Sequence, residues 1–115
     1  MKIDPNELMV MIDNTLHIAQ EMISKSEHYR VTNEPMLSVF IVLRLLKEEL
    51  ARDPDDINKR VLRAMHDLGG TAVKVFENTP LDDAIGDVTG YLYHNLPGYN
   101  KLEPLRMDFG KGNPI

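Results

Sequence analysis

Three short segments repeat one local pattern of a capping residue, a proline and, two residues later, an acid. They are Asp4-Pro5-Asn6-Glu7, Asp53-Pro54-Asp55-Asp56 and Thr79-Pro80-Leu81-Asp82. An Asp or Thr side chain at an N-cap accepts from amides that have no partner inside the helix, and proline carries a φ already suited to the first helical position. The acid that follows completes a capping box or lies favourably at the positive end of the helix dipole. Thr32-Asn33-Glu34-Pro35-Met36 is a looser version of the same start. Four helix starts within 115 residues imply an all-α chain.

The apolar spacing between the starts agrees. A first helix is expected over about 5–27, with Leu8, Ile12, Leu16, Ala19 and Ile23 on one stripe and Met9, Met11, Ile18 and Met22 widening it. A second, over 35–52, is apolar nearly all round from Val39 to Leu46 and then charged, which marks it as the central, most buried helix. Its β-branched residues at 39–42 also suit a strand, but the run lengthens into a good helix-forming end. A third, over 54–77, is expected to bury Ile57, Val61, Met65 and Leu68, with a break at Gly69-Gly70 because glycine tolerates the conformation that ends helices. Residues 71–77 read as helix or strand; Ala72 and Phe76 continue the helical stripe and favour a kinked or restarted helix. A fourth helix, over 80–95, stops at Leu96-Pro97-Gly98, and 97–115 forms an extended tail packed by Leu102, Leu105, Met107 and Phe109. The expectation is one domain spanning 1–115, a four-helix antiparallel bundle with short loops and an extended C-terminal tail.

Composition narrows the function classes. With 43% hydrophobic and 27% charged residues the chain is globular rather than disordered, and with no cysteine it has neither a disulfide framework nor a thiolate nucleophile or metal ligand. The start, MKIDPNELMV, lacks a secretory pattern, and the longest apolar run, MLSVFIVL, is too short to span a bilayer, so a soluble cytoplasmic protein without a membrane partner is expected. Net charge is −5, and residues 75–100 carry Glu77, Asp82, Asp83 and Asp87 with no Lys or Arg. Nucleic-acid partners are disfavoured, because phosphate contacts need clustered cations and only Lys59, Arg60 and Arg63 come close to a cluster.

The fourth helix carries the functional question. At about 100° per residue, Leu81, Ile85, Val88, Leu92 and Leu96 form one apolar stripe, and Asp83, Asp87, Gly90 and His94 lie nearly opposite. Asp82, Gly86 and Tyr93 fall on one flank and Tyr91 on the other. Asp82 reads as a capping acid. The like-charged pair Asp83 and Asp87 costs an isolated helix about 0.2–0.5 kcal/mol. Gly86 and Gly90 each cost up to about 1 kcal/mol relative to alanine. Such residues suit close approach, either by another helix of the chain or by a partner. As a metal site, Asp83, Asp87 and His94 would need ligands from a second helix.

Two resemblances give this face a meaning. The segments LKEELA (46–51) and LDDAIGDVTGYLYH (81–94) are similar to the two acidic halves of the all-α MazG-like nucleotide pyrophosphohydrolases, with Asp87 in the place of that family's aspartate. That resemblance implies Mg²⁺ held by Glu48, Glu49, Asp83 and Asp87. The chain departs from the family pattern in that Glu48 and Glu49 are adjacent, Arg52 stands where an acid belongs, and Ala84 precedes the aspartate by three. The C-terminal third, LDDAIGDVTGYLYHNLPGYNKLEPLRMDFGKGNPI, together with the small size and acidity, resembles the helical immunity proteins of contact-dependent growth inhibition systems. This second resemblance implies a non-catalytic, cofactor-free inhibitor that binds and masks a basic toxin nuclease domain. The expected partner-binding residues are Asp83, Asp87, Tyr91, Tyr93, His94 and Tyr99, acids to steer a basic partner and aromatics to supply contact area.

Overall fold

The computed structural model describes residues 3–26 and 33–102. These form α1 (Pro5–Lys25), α2 (Glu34–Arg52), α3 (Lys59–Val75) and α4 (Pro80–Asn95), followed by a 3-10 turn, Tyr99–Lys101. The packing runs around a square: α1 on α2, α2 on α3, α3 on α4, and α4 back on α1. Cross-links fix neighbouring helices as antiparallel. Asp4 at the start of α1 meets Tyr91 late in α4, while Thr15 near the middle of α1 meets Ala84 early in α4. Likewise Asp13 of α1 pairs with Lys47 near the end of α2 at 2.6 Å. The four-helix antiparallel bundle expected from the sequence is the fold.

Three of the four helix starts stand where their local chemistry puts them. Asp4 Oδ1 accepts from the amides of Asn6 and Glu7, Asn33 Oδ1 from Met36, and Thr79 Oγ1 from Asp82. The Asp53-Pro54 start is corrected. Asp53 closes α2 as its C-cap, and its side chain accepts from the Asp55 amide at 3.0 Å, an Asx turn rather than a helix cap. Helix α3 begins at Lys59, five residues later than Pro54, capped by Asn58 Oδ1 on the Arg60 amide at 2.8 Å. A staple holds the intervening turn. Glu49 Oε1 accepts from the Asn58 amide and from Arg52, both at 2.7 Å, and Arg52 also donates to the Asp56 carbonyl. Ile57 anchors the turn by burying its side chain in the core.

The break expected at Gly69-Gly70 is absent. Helix α3 runs unbroken through both glycines to Val75, with Phe76 as its C-cap, so residues 71–75 are helix and not strand. Neither glycine has a positive φ; the left-handed residue of that connection is Asn78, at φ 66°, where asparagine is tolerated. The 97–102 segment is likewise not extended, since Tyr99–Lys101 winds into its 3-10 turn after Gly98 at φ 86°. Leu105, Met107 and Phe109, and the end of the first helix at Glu27, lie outside the described residues.

The core follows the apolar stripes with local shifts. Leu8, Ile12 and Ala19 of α1 are buried as expected, but Thr15 fills the place next to half-buried Leu16. Its hydroxyl is satisfied by the Met11 carbonyl at 2.8 Å, which removes the cost of a bare polar group in the core. In α3 Met65, Leu68 and Ala72 are buried as expected, but in the first turn Leu62 is buried and Val61 only half so. Helix α2 buries Met36, Val39, Phe40, Leu43, Leu46 and Leu50, each such side chain contributing about 1.5–3 kcal/mol. It is not buried all round: Leu37, Ile41 and Leu45 are 39%, 50% and 40% exposed, since a square of four helices leaves each one an outer face. No helix among the described residues is long and apolar enough to cross a membrane.

Candidate functional site

Helix α4 is oriented by its apolar stripe. Leu81, Ile85, Val88 and Leu92 are fully buried, which turns Asp83 and Asp87 outward into solvent. Tyr93 and His94 are also exposed, their rings in edge contact at 5.5 Å. These four of the six expected partner-binding residues share the outer surface of α4.

The other two are elsewhere. Tyr91 is half-buried and faces α1, where its hydroxyl accepts from the Asp4 amide at 2.8 Å and lies 3.5 Å from the Asp4 carbonyl. Burial, and the nearby Glu7 and Asp4 carboxylates, raise its pKa against a smaller lowering by the Asp4 amide. Tyr99 is only 3% exposed, folded back by its 3-10 turn against His66 of α3 with ring centroids 5.3 Å apart. Its hydroxyl is shut off from solvent and has no hydrogen-bond partner among the described residues, and burial raises its pKa. Neither tyrosine belongs to an exposed aromatic rim: one ties α4 to α1, the other packs from beyond the end of α4 onto the middle of α3.

The helical glycines differ in what surrounds them, and only Gly69 of α3 stands in a close approach, while Gly70 has open space like the two of α4. A Cβ on Gly69 would stand 3.0 Å from Thr89 Cγ2, so this residue lets α3 and α4 approach closely. A Cβ on Gly86 or Gly90 would meet nothing within 4 Å. Packing among the described residues therefore does not call for glycine at either position, and close approach by another of the four helices does not explain them.

What the missing side chains leave is a groove of about 350 Å³ between α3 and α4. Helix α3 contributes His66, Gly69 and Val73 to it. Helix α4 contributes Asp82, Gly86, Thr89, Gly90, Tyr93 and His94, and Tyr99 closes one end. Neither His66 nor Val73 was among the expected partner-binding residues. Their spacing with Gly69 does place them on one helical face, but only once α3 is continuous through Gly69-Gly70.

The two acidic segments of the hydrolase resemblance do not meet. Helices α2 and α4 stand across the diagonal of the bundle. Glu49 belongs to the turn that starts α3, whereas Asp83 follows the turn that ends it, so most of the length of α3, about 25 Å, separates them. Glu49 is committed to Arg52 and the Asn58 amide, contacts that hold its carboxyl below the usual pKa, and Glu48 is exposed. Among the described residues no three His, Asp or Glu side chains are grouped so as to hold a metal ion, so Asp83, Asp87 and His94 do not form the alternative cluster either.

No protein-family model, no curated protein and no solved structure matches this chain.

Proposed function

We propose that the chain is a non-catalytic protein-binding module, an immunity- or antitoxin-type inhibitor that acts in the cytoplasm by covering a basic toxin domain, best a nuclease. The observation that carries this reading is the outer surface of α4. Gly86 and Gly90 are kept in mid-helix with open space over both, beside exposed Asp83 and Asp87. Each departure weakens the isolated helix, and no contact among the described residues offsets it. A partner pressed against bare helix backbone recovers that cost on binding, and a carboxylate field without a Lys or Arg from 75 to 100 steers a basic partner to the face. Tyr93, 55% exposed, adds an amphipathic ring of the kind enriched in interfaces.

The test begins with the neighbouring gene. Its product is expected to carry a basic C-terminal domain, and co-expression should give a 1:1 complex on size exclusion. Charge reversal at both acids, Asp83→Lys with Asp87→Lys, should weaken that complex and flatten its salt dependence while leaving the helical circular dichroism unchanged. Unchanged affinity in the double variant overturns the assignment of this face.

A further inference from the structure

The turn between α2 and α3 already contains most of a helix start. Asp53 is extended at φ −165° and ψ 99°, the backbone region that an N-cap residue takes. Its Oδ1 accepts from the Asp55 amide at 3.0 Å and its carbonyl from the Asp56 amide at 3.1 Å. Asp4 makes the same side-chain bond, to the amide two residues on, where α1 does begin. Pro54 stands where a missing amide is no loss, and Asp55 and Asp56 follow where a helix dipole favours acids. Yet the next helix waits until Lys59.

Two diversions stop the winding. In a helix begun at Pro54 the Asn58 amide would donate to the Pro54 carbonyl, four residues back. It donates instead to Glu49 Oε1 at 2.7 Å, an acid of α2 that Arg52 holds at 2.7 Å. In the same helix the Arg60 amide would reach the Asp56 carbonyl. Arg52 occupies that carbonyl, and the Arg60 amide turns to Asn58 Oδ1 at 2.8 Å. Core packing does not choose between the two arrangements. At about 100° per residue Ile57 falls on the same helical face as Met65, Leu68 and Ala72, so a longer α3 keeps its side chain towards the core.

We propose that α3 has two preset starts, at Pro54 and at Lys59, and that the Glu49–Arg52 pair of α2 selects the second by holding the Asn58 amide and the Asp56 carbonyl. Released from that pair, residues 54–58 join α3 and lengthen it by about 7.5 Å. The connection to α2 then moves back onto Ala51 and Arg52, both exposed, because antiparallel helices need a link of about 2–5 residues. Local preference and tertiary contact give different answers at this one corner, which is the condition for a bistable element. The device lies at the α2–α3 corner and does not depend on the partner surface of α4.

The test follows the Cα chemical shifts of residues 51–60 in the full chain. Glu49→Ala removes the acceptor and is expected to bring helical shifts to 54–58 while Ala51 and Arg52 lose theirs. Glu49→Gln keeps the side-chain volume and a neutral acceptor, and should move the same shifts part of the way. Adding Asp53→Ala to either variant removes the cap of the earlier start and should reverse the gain. Residues 54–58 that stay non-helical in Glu49→Ala overturn the proposal, and so does a helical gain that Asp53→Ala leaves intact. Should Glu49→Ala fail to fold, Glu49→Gln decides alone: unmoved shifts at 54–58 overturn the two starts, and a shift towards helix supports them.

Discussion

The hydroxyl of Tyr91, late in α4, accepts a 2.8 Å hydrogen bond from the backbone amide of Asp4, the residue that caps α1. One side chain therefore joins the first and last helices at the point where the chain enters the bundle. The Asp4 carboxylate is at the same time occupied by the Asn6 and Glu7 amides, so the cap and the clasp use different atoms of one residue.

Tyr91→Phe separates the two. The ring stays and the bond is lost, which costs about 0.5–1.5 kcal/mol for a partly exposed pair. The expected fall in melting temperature is roughly 3–6 °C for a domain of this size, read by circular dichroism. An unchanged melt would mean that water replaces the hydroxyl without loss.

The glycines should part in sign. Gly86→Ala and Gly90→Ala meet open space in a helix with ordinary φ, and each should stabilise the fold by about 0.5–1 kcal/mol in urea titration. Gly69→Ala places its methyl 3.0 Å from Thr89 Cγ2 and should gain nothing or lose stability. Under the proposed function the two stabilising variants bind the partner more weakly, a separation of stability from affinity that a purely structural glycine would not give.

Alkaline stability follows from the tyrosines. Burial is the leading cause that raises both Tyr91 and Tyr99 above the ordinary phenol value of 10.0. The folded state therefore holds these protons more tightly than the unfolded state. That contribution is complete below pH 10 and is lost as pH climbs above it. Melting temperature should hold up to about pH 9.5 and then fall through pH 10–12. The fall should be shallower in Tyr99→Phe, a comparison that scanning calorimetry across pH can make.

The start of α3 offers a local test. Asn58→Ala removes the cap on the Arg60 amide and should cost about 1 kcal/mol. Asp53→Ala removes only an Asx-turn contact to the Asp55 amide and should cost clearly less. Equal losses at the two sites would contradict the later start. Urea midpoints for the pair decide it.

That pair also shows how far the sequence could be read. Asp53-Pro54 and Thr79-Pro80 look alike because an Asp or Thr oxygen two or three residues before free amides can cap a helix or close a turn. At Thr79 the chain ahead of the cap ends at buried Phe76, and the helix starts at once. At Asp53 the staple of Glu49, Arg52 and Asn58, with Ile57 drawn into the core, holds the turn open for five more residues. Gly69-Gly70 misled for the opposite reason. Glycine permits a helix to end but does not require it, and here close contact with Thr89 on α4 is what one of the pair serves.

The sequence by itself determined that there are four helices, most of their buried positions and the outward turn of Asp83, Asp87 and His94, since capping chemistry and a 3.6-residue period act within one segment. The tertiary structure alone decided that Tyr91 clasps Asp4, that Tyr99 is buried against His66, and that Glu48 and Glu49 stand apart from the α4 acids. Those outcomes depend on which helices become neighbours and in which direction they run. No spacing along one helix encodes that.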